Sequence, residues 1–279
     1  MPVNDELGTR MKVFYEQVPK TRLVRRMPVA IRIDGKAFHT FTRGFKRPFD
    51  EVLIQSMQKT MKYLCENIQG CVLGYAQSDE ITLILIDYQT LDTCAWFDYE
   101  VQKMCSIAAS MATMAFNKYF AEEVARYCYL LPKDEEGRLI KESYEQWTVY
   151  QKAVDKGAMF DARVFNIPKE EVTNLVYWRQ LDASRNSVQM VGQAYFTHKE
   201  LQGCSCSKIQ DMLMVNKGIN WNNYATHQKR GSCCIRKEIQ DPDVDIKDGY
   251  FPRTKWVIDT EIPLFKGEGR DYIEKLVNI

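Results

Sequence analysis

Apolar positions change their spacing several times along the chain, and each change marks an element. In residues 29–34, Val29, Ile31 and Ile33 alternate with Ala30, Arg32 and Asp34, the period of a strand. After Pro48, Leu53, Met57, Met61, Leu64 and Ile68 recur at helical steps, and the stretch from Asn67 to Gly70 ends that helix. "CVLGYA" (71–76) and "ITLILI" (81–86) read as strands joined through "QSDE" (77–80), a hairpin. A long helix is expected from about Asp92 to Phe120, with Phe97, Val101, Met104, Ala108, Met111, Ala115 and Tyr119 on one stripe. The small residues Ala108, Ala109, Ser110 and Ala112 suit close packing of that helix on a sheet. "FDARVFNI" (160–167) is a further strand, and Pro168 opens a helix through "EEVTNLVYWRQ".

This βαββαβ order predicts an α+β, ferredoxin-like fold: an antiparallel sheet with two helices on one face. Residues 129–157 interrupt it with a polar, charged insertion, expected to extend from the sheet as a flap or arm. The expected division is a catalytic domain over residues 1–198 and an appended, less regular region over 199–279, packed on it. The latter is rich in Lys, Asn, Gly and Cys.

Composition narrows the class. The chain has 279 residues, 45% hydrophobic and 27% charged, enough for a substantial core. No run approaches the roughly 18 apolar residues of a membrane span, and "MPVNDELGTR" has no signal-peptide core. A soluble, cytoplasmic protein without membrane contact is expected. Nine irregularly spaced cysteines fit reduced thiols. Cys204, Cys206, Cys233 and Cys234 with His227 lack the spacing of a structural zinc site. Net charge is +1 but uneven: eleven Lys and Arg against two acids lie between Arg10 and Arg47. That segment is suited to phosphates.

The chemistry centres on Asp34. A buried strand needs no carboxylate at its tip, and in a βαββαβ sheet the hairpin tip brings Asp79 and Glu80 beside it. Two carboxylates and the Gly35 carbonyl would then converge, the oxygen donors that hard divalent cations such as Mg²⁺ take while keeping places for substrate phosphates. Two such ions about 4 Å apart clamp the attacking and leaving oxygens of nucleotidyl transfer. Gly35 would let the backbone approach a phosphate, and the "DGKAFH" amides would cradle a triphosphate whose outer charges Lys46 and Arg47 neutralise. His39, between aromatics, reads as a packed histidine bonding phosphate or backbone. "NKGINWNNYATHQKRGS" (216–232), mixing bases, Asn and aromatics, joins Arg22, Arg25 and Arg26 as a candidate RNA surface.

"RIDGKAFHTFT", "AQSDE", "FDARV", "WRQLD" and "INWNNYATHQKRG", in this order, resemble the tRNA(His) guanylyltransferase family, which includes 3′-to-5′ RNA polymerases. The resemblance implies a polymerase-palm domain that adds nucleotides to tRNA 5′ ends, with ATP and GTP as substrates. It implies two Mg²⁺ on Asp34, the Gly35 carbonyl and Asp79, with Glu80 beside them. A nucleoside triphosphate would lie on Asp34, Gly35, Lys36, Ala37, Phe38 and His39, with Ser78 and Asp79. Arg47 and Lys103 would be basic contacts, and a homotetramer is implied. The implied chemistry activates a 5′-monophosphate with ATP, after which the 3′-hydroxyl of an incoming nucleotide displaces AMP.

One motif departs. Where enzymes that mark histidine tRNA carry a His-Ile-Asn-Asn-Leu-Tyr-Asn run, this chain reads "SRNSVQM" (184–190), and only Asn186 keeps its type. Template-dependent repair of 5′-truncated tRNA is therefore expected ahead of addition of a single G to tRNA(His). A palm-type nucleotide cyclase is a more distant alternative. A non-catalytic RNA-binding module would need aromatics that "VAIRID" and "ITLILI" lack.

Overall fold

The computed structural model describes residues 6–138, 140–239 and 253–278. Residues 240–252, part of the expected C-terminal region, lie outside the described residues. Six strands, β1 (Val29–Gly35), β2 (Cys71–Gln77), β3 (Glu80–Leu85), β4 (Phe160–Asn166), β5 (Ser232–Ile239) and β6 (Arg253–Asp259), form one sheet in the order β4-β1-β3-β2-β5-β6. Every pair is antiparallel. β1, β2, β3 and β4 have the expected ferredoxin-like arrangement, and residues 199–279 contribute β5 and β6 to the same sheet.

The strand alternation sorts side chains to two faces. Val29, Ile31, Ile33, Ile81, Leu83 and Leu85 pack against α1 (Glu51–Asn67) and α2 (Val101–Leu130). Ala108, Ala112 and Ala115 are fully buried on α2, so its backbone lies close to its neighbours. The opposite face carries Ala30, Leu73, Tyr75 and Ile84, which meet Val172 and Val176 of the long helix α4 (Lys169–Tyr195). Among the described residues, no helix is long and apolar enough to cross a membrane.

Three expectations change. The helix expected from Asp92 starts only at Val101, because a 3₁₀ turn (Trp96–Tyr99) with left-handed Phe97, Asp98 and Tyr99 precedes it. It also runs ten residues further, to Leu130. The insertion does not project as an arm: α3 (Lys141–Lys156) folds back on α2, and its Tyr150 is completely buried against Phe45 and Tyr127. Its charged composition conceals an apolar row, Trp147, Tyr150 and Val154, at helical spacing. Beyond α4's midpoint, Val188 and Val191 pack with Ile209 and Leu213 of α5 (Cys206–Lys217), and Trp221 and Tyr224 pack beside them.

Candidate active site

The tip of β1 is locked to the hairpin tip. Asp34 stands opposite Glu80 in register, and the Gly35 N–H donates to the Asp79 carbonyl at 3.1 Å. Ser78, in the left-handed region at φ 50°, turns the hairpin so that Asp79 follows at once. The absence of a side chain at Gly35 has a packing reason: a Cβ there would sit 2.2 Å from the Phe38 ring. That ring is buried among Phe41, Phe116 and Phe160, so Phe38 offers a ligand only its backbone.

The "DGKAFH" amides divide. Gly35 N–H is used by Asp79, and Lys36 N–H donates to the Met159 carbonyl at 2.8 Å. The N–H groups of Ala37, Phe38 and His39 have no protein acceptor among the described residues. Ala37 is left-handed (φ 54°) and starts the single helical turn Phe38–Phe41. These three residues line an open cleft of about 690 Å³ together with Arg43, Lys46, Arg47, Ser78 and Asp79. His39 is exposed there rather than packed. Asp34, behind Gly35, does not line it, and neither do Lys36 and Lys103; the Lys103 ammonium lies 4.8 Å from the Phe97 ring centre.

The charges near the tips fall into two groups. Burial, then the charges of Glu80 and Asp161, pushes the Asp34 carboxyl above its ordinary range. Burial likewise raises Asp79; its own backbone hydrogen bond opposes this, and Asp34 adds to it. Among the described residues neither makes an ion pair, and Arg43 and Arg47 make none either. Glu80, only 6% exposed, is held by two arginines: Arg32 at 3.0 and 3.3 Å, and Arg179 at 2.7 and 2.8 Å. Arg179 also pairs with Asp182 at 2.8 Å. Glu80 stands opposite Asp34 in register with its carboxylate engaged by two guanidinium groups, so it lies beside the open carboxylates and not among them.

The donors fit a divalent cation in kind. Asp34 and Asp79 are unpaired, repel one another, and with the Gly35 carbonyl make an all-oxygen set suited to Mg²⁺. Among the described residues no group of three or more His, Cys, Asp or Glu side chains is arranged to hold a metal, so any such ion takes backbone, substrate or water oxygen as well.

Part of the candidate RNA surface is engaged within the fold, while Asn216, Lys217, Asn220, Asn222 and Asn223 are exposed. Arg26 donates to the carbonyls of Asp87, Thr90 and Leu91, while Arg22 and Arg25 pair with Asp98. Trp221 donates to Ser187 Oγ at 3.0 Å, and Lys229 is buried with its ammonium on the Asn222 carbonyl. Sequence reasoning missed a second recess, about 80 Å³, where Asn186, Ser187 and Met190 of α4 face His227 and Gln228 of α6 (Thr226–Arg230). It shares Asp50, Leu53, Ser78 and Met190 with the larger cleft. His227 lies 3.9 Å from Glu51, a partner 176 positions away that no local pattern signals.

The family model of tRNA(His) guanylyltransferases matches residues 8–168, which include both tips and the basic loop. The chain belongs to the tRNA(His) guanylyltransferase family. It is similar over nearly its full length to a bacterial member-like protein solved in complex with ATP: 38% identity, 97% of this chain and 98% of that one, TM-score 0.77. The corresponding complex with GTP gives 35% identity, 99% and 100% coverage, and a TM-score of 0.74. Among curated relatives, the probable tRNA(His) guanylyltransferase of Dictyostelium discoideum is 25% identical over 233 residues, covering 78% of this chain and 79% of the relative. The family's defining match ends at the start of α4, so the "SRNSVQM" stretch and α6 lie outside it.

Proposed function

We propose that the protein is a Mg²⁺-dependent nucleotidyltransferase that extends tRNA 5′ ends in the 3′-to-5′ direction, choosing each nucleotide by pairing with the opposite acceptor strand. One observation carries the reading. A single cleft joins Asp79 and the free amides of Ala37, Phe38 and His39 to the exposed cations Arg43, Lys46 and Arg47. Arg43 and Arg47, without ion pairs among the described residues, and amides without protein acceptors there suit a triphosphate, and the bacterial relatives hold ATP and GTP. Family membership supplies the tRNA end as the acceptor.

In the first stage the RNA 5′-phosphate attacks the α-phosphorus of ATP and pyrophosphate leaves. In the second, the 3′-hydroxyl of the incoming nucleotide attacks the 5′-terminal phosphate and AMP leaves. Both are in-line displacements at phosphorus, so one site serves both. Asp34, Asp79 and the Gly35 carbonyl would hold the Mg²⁺, which supplies neutralisation of the phosphate charge when bound. The chain's own part is orientation. Amides 37–39 fix the phosphates, Arg43 and Arg47 draw the pyrophosphate charge away from the attacked phosphorus, and Ser78 with Asp79 sets the near wall.

The templated reading is supported by what α4 carries. Marking histidine tRNA needs protein contacts that identify it. At 184–190 Ser187 and Val188 are buried while Arg185, Asn186, Gln189 and Met190 are exposed, and only Asn186 keeps the residue type of the enzymes that mark histidine tRNA. Base pairing is then the simplest source of choice, with the protein contributing contacts that carry no sequence information. A tRNA lacking its first nucleotide should gain the base complementary to its partner, and changing that partner should change the base added, as read by mass analysis of the product. Addition of G alone, to histidine tRNA alone and regardless of the opposing base, would return the single-G reading.

A further inference from the structure

The basic loop on the cleft wall is exposed and carries three cations within five residues, Arg43, Lys46 and Arg47. Like charges so close repel, and a free loop of this kind must be ordered each time a polyanion binds. Yet its backbone is held, by Asp50 at the N-cap of α1 and by groups of α3 that tie to it and to the loop. Gln146 Nε2 donates to the Gly44 carbonyl at 3.3 Å, and Val149 packs directly against Gly44. The Tyr150 hydroxyl donates to Asp50 Oδ2 at 2.6 Å, and the same oxygen accepts the Lys46 N–H at 2.9 Å. Asp50 Oδ1 caps α1 by accepting the Leu53 N–H at 3.0 Å. Phe45, between the outward-facing Arg43 and Arg47, anchors its ring on Tyr150 and Phe120.

These ties land on backbone groups and an aromatic ring. They fix the path of the loop and leave the guanidinium groups of Arg43 and Arg47 without ion-pair partners among the described residues. Tyr150 is fully buried and Asp50 is 5% exposed, so the bond between them is shielded from water, where such bonds are strongest. Burial and the facing carboxylate push the Tyr150 hydroxyl up, which keeps it a donor at any physiological pH.

We propose that α3 is a positioning element for the triphosphate: through Tyr150–Asp50–Lys46 and Gln146–Gly44 it pre-orders the loop that carries Arg43 and Arg47, so that the nucleotide binds without first ordering it. Pre-organisation of this kind appears in affinity, because the ordering cost is met during folding rather than on binding. The inference rests on the reading of the cleft as a triphosphate site. It assigns a purpose to the inserted segment, and Tyr150 and Gln146 act through the loop without touching substrate.

The test is Tyr150→Phe, which removes one hydroxyl and keeps the ring contacts. Titration calorimetry with ATP should show the Kd raised about tenfold, the loss of a buried hydrogen bond to a charged group. With 5′-monophosphorylated tRNA, the KM for ATP should rise to the same extent while kcat stays within about twofold. Addition to 5′-triphosphorylated tRNA, which needs no ATP activation, should change by less than about twofold. Gln146→Ala, milder and on the exposed edge, should raise the Kd in the same direction and stands in if the first variant does not fold. Gln151→Ala, whose side chain bonds Asp155 away from the loop, should leave it unchanged. A folded Tyr150→Phe or Gln146→Ala protein with wild-type ATP affinity overturns the inference, as does an equal fall on both RNA substrates. Wild-type protein that binds no ATP would instead bring down the triphosphate reading itself, and the inference with it.

Discussion

Two charged regions meet at the tip of β3, and adjacent residues fall on either side of the divide. Glu80 is buried between Arg32 and Arg179, and Arg179 continues to Asp182, a chain of paired charges that ties β1 and β3 to α4. Asp79, the preceding residue, has no such partner among the described residues; it faces the cleft, as the unpaired Arg43 and Arg47 do. The same side-chain chemistry serves the fold in one place and stands unpaired among the described residues in the other. Paired charges give stability when kept and cost it when broken. Unpaired, partly buried charges oppose folding and are retained for binding.

The largest effect should come from the open group. Asp34→Asn or Asp79→Asn should lower both adenylylation and nucleotide addition on the order of 10³-fold, the loss of a preorganised charge at the reacting phosphate. Neither should destabilise the fold, because burial and neighbouring charges already oppose ionisation at both positions. Parallel denaturant melts and product assays check this. A folded Asp34→Asn enzyme that still adenylylates would dissolve the division between open and paired carboxylates.

The paired side gives the reverse pattern. Glu80→Ala leaves two guanidinium groups facing each other in a buried site and should cost about 3 kcal/mol of stability. Activity per folded molecule should fall far less than in Asp79→Asn. If Glu80→Ala is as stable as wild type but inactive, Glu80 belongs with the ligands and the arginine clamp is incidental.

Arg47 sharpens the boundary from the cationic side. Arg26 has its guanidinium filled by three carbonyls, whereas Arg47 stands in the cleft. Arg47→Ala should therefore impair addition to 5′-monophosphorylated tRNA by about 10- to 100-fold, the worth of one or two charge-assisted bonds. Addition to 5′-triphosphorylated tRNA should suffer much less. Equal losses would show that Arg47 is not tied to activation.

What could be read from sequence follows the same line. β1, the hairpin and α1 are legible because their apolar spacing is local, and topology then places Asp34 beside Asp79. The fate of Glu80 was not legible: the deciding Arg179 is 99 positions away. Nor was Phe38, which in a phosphate-binding motif looks like a ligand contact but fills the space over Gly35. The left-handed run Phe97, Asp98 and Tyr99 contains no glycine to announce it. For α3 a signal did exist, the Trp147, Tyr150 and Val154 row, hidden by charged neighbours.

The smallest effect concerns a pair that is closed but exposed. Glu51, at the start of α1, accepts from Gln228 at 2.8 Å and lies 3.9 Å from His227, tying α1 to α6. The adjacent His227 imidazole, with the Gln228 amide and against some burial, holds the Glu51 carboxyl below its ordinary range. A carboxyl depressed in the folded state stabilises when ionised. Its contribution is present above the unfolded value near 4.5 and is lost as pH falls through the lower folded value. Solvent reaches this pair, so the contribution should stay under about 1 kcal/mol. The melting difference between wild type and Glu51→Gln should accordingly be small at pH 7 and shrink steadily below pH about 4.5. A difference as large as that of Glu80→Ala, or one that grows on acidification, would mean that exposure does not separate the two pairs and that α6 is held as firmly as the buried clamp.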